Sequence, residues 1–211
     1  MKLIMKYSTH LLTLFTVCLC AWGFVNHESL SALQIATIGF GMLVMLHEWE
    51  EMHWPGGFMD MMGGIIGWDM SGIRPGAQHT SQSLFITLIV MLPVLYPSVH
   101  WLFCGVMIFG IMEGIMHVAG IKVANAPKPY TPGMVTGIVM FIYCIAAIVI
   151  VYGTESITAG SWILGFAYFM VWFIIMMQMV ITFCQFNRKE FMKAMMGMAK
   201  SRLKNKESRI I

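Results

Sequence analysis

Two histidines and three carboxylates stand together in HEWEEMHW, residues 47–54, at the end of an otherwise apolar run. In a helix His47, Glu50 and Glu51 fall at i, i+3 and i+4 and share one face, whereas Glu48 and Trp49 point elsewhere. A second pair, Glu113 and His117 in EGIMH, repeats the i, i+4 spacing. Imidazole with carboxylate suits a divalent transition metal, zinc, iron or manganese, and helical bundles deliver such ligands from facing helices. The spacing is neither the Glu-x-x-His of di-iron bundles nor the HExxH of zinc proteases. His53, Asp60, Asp69 and His79 are candidates for further ligands. Besides binding a metal, the same residues suit a hydrogen-bonded Glu–His–Glu proton relay, or a structural pairing of helices. The residue types leave all three open.

The elements that must carry these residues are membrane spans. The chain is 58% hydrophobic and only 11% charged, with a mean hydropathy of +0.75; a soluble domain has about a quarter of its residues charged. A bilayer span takes about 20 mostly apolar residues, and six candidates are read: Leu11–Val25, Ser31–Trp49, Ser81–Tyr96, Ser98–Gly120, Thr131–Gly153 and Thr158–Gln185. The expectation is therefore an all-α polytopic bundle over residues 1–186, followed by a basic tail, 187–211. Lys2 and Lys6 ahead of LLTLFTVCLC imitate a secretory leader, but AWG at 21–23 is a loose cleavage match, so the first span is read as retained. The five cysteines form no CxxC pair and read as small apolar fillers.

Charge sets the orientation. All 13 Lys and Arg residues fall on one side of a six-span chain: the N-terminus, the second-to-third and fourth-to-fifth connections, and the tail. NHES, YPS and GTES on the other side carry none. By the positive-inside rule both termini face the cytoplasm, and the expected location is the plasma (inner) membrane. The connection over residues 50–80 is glycine-rich yet apolar (FMDMMGGIIGW), and reads as a re-entrant or interfacial piece covering something on the cytoplasmic side. In the tail, Met192, Met195, Met196, Ala199 and Leu203 recur at helical spacing among basic residues. That pattern fits an amphipathic helix on anionic lipid, or a solvated tail that only sets orientation.

The two charged pairs reach one level. His47 lies 16 residues past Ser31 and Glu113 lies 15 past Ser98, which puts both roughly 22–24 Å below the outer surface at 1.5 Å per residue. Glu113, flanked by apolar sequence on both sides, looks the more desolvated. YTPG at 130–133 opens the fifth span at the same edge. Thr131 reads as its N-cap and Pro132 as its first residue. The free amides of that helix start suit an anionic group, with Tyr130 as a donor and Gly133 leaving room for a ligand, so Tyr130, Pro132 and Gly133 are candidates for substrate binding.

HxxEE (His47, Glu50, Glu51), a later histidine (His117) and YxPG (Tyr130, Pro132, Gly133) together resemble the HXXEE-domain family of membrane proteins, over about residues 35–150. The resemblance implies that these positions form one site and implies no particular reaction.

The function expected from the residues is a metal-dependent membrane enzyme acting on a lipid or other amphiphilic substrate at the cytoplasmic leaflet. In it His47, Glu50, Glu51, Glu113 and His117 hold the metal, and Glu50, Glu51 and Glu113 share general-base work. The alternatives are a proton- or ion-coupled transporter using the same carboxylates, and a non-catalytic membrane scaffold. No nucleophile elbow, P-loop or dinucleotide fingerprint is present. Membrane lipid is the expected partner, and nucleic acid is not.

Overall fold

Ser31 is the N-cap of the second span. Its hydroxyl accepts from the Gln34 amide, and the Gln34 side chain accepts in return from the Ser31 N–H, closing a capping box. Thr158 and Ser161 repeat the device at the last span. In the computed structural model, which describes residues 2–67, 73, 76–124, 129–191, 193–194 and 197, the described residues form seven α-helices and no strand. These are α1 (Lys2–Val25), α2 (Ala32–Met52), α3 (Phe58–Ile66), α4 (Ala77–Leu95), α5 (His100–Val123), α6 (Met134–Tyr152) and α7 (Ala159–Phe183). All but α3 are long and apolar enough to cross a membrane. Nine residues, roughly 13 Å, are too few for α3 to do so.

Two spans begin earlier than the hydropathy pattern places them, because polar residues at their starts face protein. α1 starts at Lys2 rather than Leu11, and its Ser8 and Thr9 are buried. α4 starts at Ala77 rather than Ser81 and buries Gln78 and Thr80. Asp69 and the amphipathic pattern at Met192, Met195, Met196, Ala199 and Leu203 lie outside the described residues.

α2 is the hub and packs against α1, α4, α5 and α6. Hydrogen bonds between helices fix its register: Gln34 Nε2 donates to the Val94 carbonyl (2.8 Å), Tyr143 Oη to the Ala36 carbonyl (2.8 Å), and Trp49 Nε1 to Thr13 Oγ1 (2.8 Å). Bonds of this kind are worth about 0.6–2 kcal/mol in a membrane. Below them Phe40, Phe85, Phe103 and Met107 fill the core. Large apolar side chains such as Ile142, Val149 and Ile163 face outward. α5 and α6 approach closely at Gly114 and Gly137: a Cβ on Gly114 would lie 2.7 Å from the Gly137 carbonyl oxygen. Small residues at a crossing let backbones approach in this way, and His117 stands one turn beyond.

Candidate metal centre

At about 100° per residue, His47 and Glu51 share one direction on α2, and Glu48 and Glu50 diverge from it by about 80° to either side. Neighbouring helices decide what each one meets. His47 and Glu51 face α5, where Glu113 and His117 present the second pair. One ligand atom from each of these four residues lies within 4.8 Å of all the others. His117 Nε2 is 3.1 Å from Glu51 Oε1 and 3.6 Å from Glu113 Oε2; His47 Nε2 is 3.6 Å and 3.8 Å from the same oxygens. Tetrahedral zinc with bonds of about 2.0–2.1 Å spaces its ligand atoms roughly 3.3 Å apart, and the four separations bracket that value.

The far sides of both imidazoles are held. His47 Nδ1 is 3.0 Å from Thr136 Oγ1, and His117 Nδ1 is 3.4 Å from Thr131 Oγ1. Each threonine gives its single hydroxyl proton elsewhere, Thr136 to Glu50 Oε2 and Thr131 to the His117 carbonyl oxygen (2.9 Å). Both therefore accept from the histidines, so each Nδ1 carries the proton. Each Nε2 then faces the carboxylates, as a lone-pair ligand when the ring is neutral or as an N–H donor to Glu51 and Glu113 when it is charged. This is the arrangement by which outer hydrogen bonds orient metal-binding histidines.

Glu50 sits apart from the four. Its oxygens accept from the Val135 N–H (3.1 Å), the Thr136 N–H (2.7 Å) and the Tyr130 hydroxyl (2.9 Å). The anion at the α6 N-terminus is thus the chain's own carboxylate, favoured there by the helix dipole. The helix start differs from expectation. Gly133, not Thr131, is the N-cap, with φ 87°, and the helix begins at Met134. Thr131 is fully buried beneath His117. A Cβ on Gly133 would lie 2.7 Å from Glu51 Cγ and His117 Cε1 and 2.8 Å from His47 Cε1, so the groups filling the space beside it belong to the centre itself. Pro132 approaches Gly57, ahead of α3.

The sequence reading missed Glu48. Rather than pointing away, it is 3% exposed and lines the same cavity as His47 and Glu51. Position on the helix could not separate it from Glu50, since both diverge equally from the His47–Glu51 direction. Thr136 was missed too; its signal is a hydroxyl in the first turn of an otherwise apolar helix. Glu113, expected to be the most desolvated, is the most open of the four, its side chain 30% exposed against 3–4% for His47, Glu51 and His117.

Of the further candidates, His53 and His79 gather with His10 and Trp49 in a separate ring cluster, the His53–His79 centroids 5.4 Å apart. Asp60 is exposed on α3. The cavity beside the four residues has a volume of about 410 Å³, within the usual range for a small-molecule site. Helices α3, α4, α5 and α7 wall it with Phe, Met and Ile, and Phe58 of α3 packs over His117 at 6.2 Å. Within the glycine-rich connection, α3 is the described part that borders this cavity.

A family model described as "Protein of unknown function with HXXEE motif" matches residues 38–148, more than half of the chain. The chain belongs to the HXXEE family. No curated protein and no solved structure matches it. The matched stretch of this HXXEE protein holds all four residues of the centre, together with Glu48, Glu50, Tyr130 and the two threonines, and leaves out α1 and α7.

Proposed function

We propose that this HXXEE protein is a metal-dependent membrane enzyme whose substrate is a lipid or other amphiphile drawn from the cytoplasmic leaflet. The observation that carries the reading is the pair of oppositely held imidazoles. Both Nε2 atoms converge with Glu51 and Glu113, the four ligand atoms within 4.8 Å of one another, while each Nδ1 is held from outside. Two carboxylates in apolar surroundings are costly unless their charge is offset, by protons on the imidazoles or by a cation; a divalent ion offsets both charges at once. Zinc, iron and manganese fit the donor set, and such an ion acidifies bound water or activates oxygen. Glu113, the most open carboxylate, is placed to take a proton from a group in the cavity. The apolar walls exclude bulk water and accept a hydrocarbon chain. The one-sided basic residues of the sequence support a cytoplasmic position for this end of the bundle.

Elemental analysis of the full chain, purified without a chelating tag, tests this. About one equivalent of a transition metal per chain is expected, with loss of that metal in His47→Ala and His117→Ala. Protein with well below one equivalent, and with no gain of thermal stability on adding zinc, iron or manganese, would overturn the reading in favour of a proton relay or carrier.

A further inference from the structure

The cavity beside the metal centre contains acceptors that no described residue answers. Glu48 Oε2, Gln78 Oε1 and Gln82 Oε1 are buried and lack a hydrogen-bond partner among the described residues, and all three side chains line the cavity. Glu48 and Gln78 are 3% and 6% exposed. Gln78 and Gln82 stand at i, i+4 on one face of α4. The Gln82 amide donates to Glu51 Oε2 (3.4 Å), so its carbonyl oxygen is the atom left over. An unanswered buried polar atom costs about 1–3 kcal/mol, more when it is charged. Three of them in one cavity point to a ligand that brings donors.

The charges narrow the ligand further. With a divalent ion on Glu51 and Glu113 and the α6 amides on Glu50, an ionised Glu48 has no counter-charge among the described residues. Among the described residues no Lys or Arg lines the cavity, so these residues offer no cation to a phosphate or carboxylate head. A hydroxyl head brings one donor; an ammonium brings three, matching the three open acceptors. The remaining walls, Met59, Met62 and Ile65 from α3 with Phe173, Met176 and Met177 from α7, are apolar. Flexible methionines adapt to a hydrocarbon chain.

We propose that Glu48, Gln78 and Gln82 form the head-group subsite of this cavity, and that its ligand is a single-chain amphiphile with a primary ammonium head. The proposal rests on the metal-enzyme reading for the charge balance around Glu48 and for what happens to the ligand; the three buried acceptors stand without it.

The test uses the full chain in phosphatidylcholine nanodiscs, titrated with dodecylamine, dodecan-1-ol and dodecyl phosphate. Each titration is corrected for partition into protein-free discs, and zinc content is measured on the same samples. Dodecylamine should bind at least about tenfold more tightly than dodecyl phosphate, a factor that corresponds to about 1.4 kcal/mol. Glu48→Gln should remove most of that preference while zinc content stays unchanged. Gln78→Leu, similar in volume, should weaken amine binding several-fold and gives a second readout if Glu48→Gln does not fold. Equal or tighter binding of dodecyl phosphate, or no binding above the protein-free discs, would overturn the subsite. Amine preference that depends on Glu48 in protein unable to hold zinc, iron or manganese would keep the subsite and sink the metal reading. Normal zinc content without an amine preference would do the reverse.

Discussion

Thr136 has one hydroxyl proton and gives it to Glu50, which leaves its lone pair to hold His47 Nδ1. Thr136→Val removes that acceptor without changing the side-chain shape. Metal affinity should fall about 10–100-fold, and Thr136→Ser should restore most of it; competition with a chromophoric chelator measures both. An unchanged affinity in the valine variant would mean that the Nδ1 bond does not orient the ligand. Tyr130 is the other outer partner. Burial and its bond to the Glu50 carboxylate push its phenol up to about 12, so it remains a donor throughout the neutral range. Its raised value makes the bond a stabilising one below the ordinary phenol value of about 10. The contribution is lost as pH rises from there through about 12. Because the ring is half-buried, Tyr130→Phe should cost only about 1 kcal/mol and leave metal content intact. Loss of the metal in this variant would show that the tyrosine reaches the centre rather than Glu50 alone.

At the scale of elements, the α6 start is the part most tightly bound to the site. Gly133 sits at φ 87°, and a Cβ there would press on Glu51, His117 and His47. Positive-φ strain alone costs about 1–3 kcal/mol, and the steric conflict adds to it. Gly133→Ala should therefore lower thermal stability and metal content together, whereas Gly64→Ala, where a Cβ meets nothing within 4 Å, should change neither. A Gly133→Ala protein with full metal content would contradict the packing described. α3 has a different part, since it walls the cavity while being too short to span.

For the whole molecule, the testable statement is orientation. Reporter fusions at Asn187, after α7, and at Glu155, between α6 and α7, should report opposite compartments, with Asn187 cytoplasmic. Agreement between the two would overturn the span count, and Glu155 on the cytoplasmic side would invert the bundle. The inverted case would move the cavity to the other leaflet and change which lipids can reach it.

Apolar run length and the one-sided distribution of Lys and Arg were enough to read six helices, because a span must satisfy its backbone internally and must be apolar where it meets lipid. The i, i+4 spacings of His47 with Glu51 and of Glu113 with His117, at matched depths, were enough to pair two helices. The roles of Glu48 and Glu50 were not legible. They diverge equally from the His47–Glu51 direction, and only the neighbours of α2 distinguish them: the α6 amides receive Glu50, while the cavity beside α4 and α5 receives Glu48. The left-handed turn at Gly133 was hidden for a similar reason. Thr131 followed by proline has the local signature of a cap, but Thr131 is drawn under His117, and the helix starts three residues later. Local sequence decides which residues share a face of a helix. What that face meets depends on helices distant in the chain, and in a hub buried on several sides this contact assigns each carboxylate its surroundings.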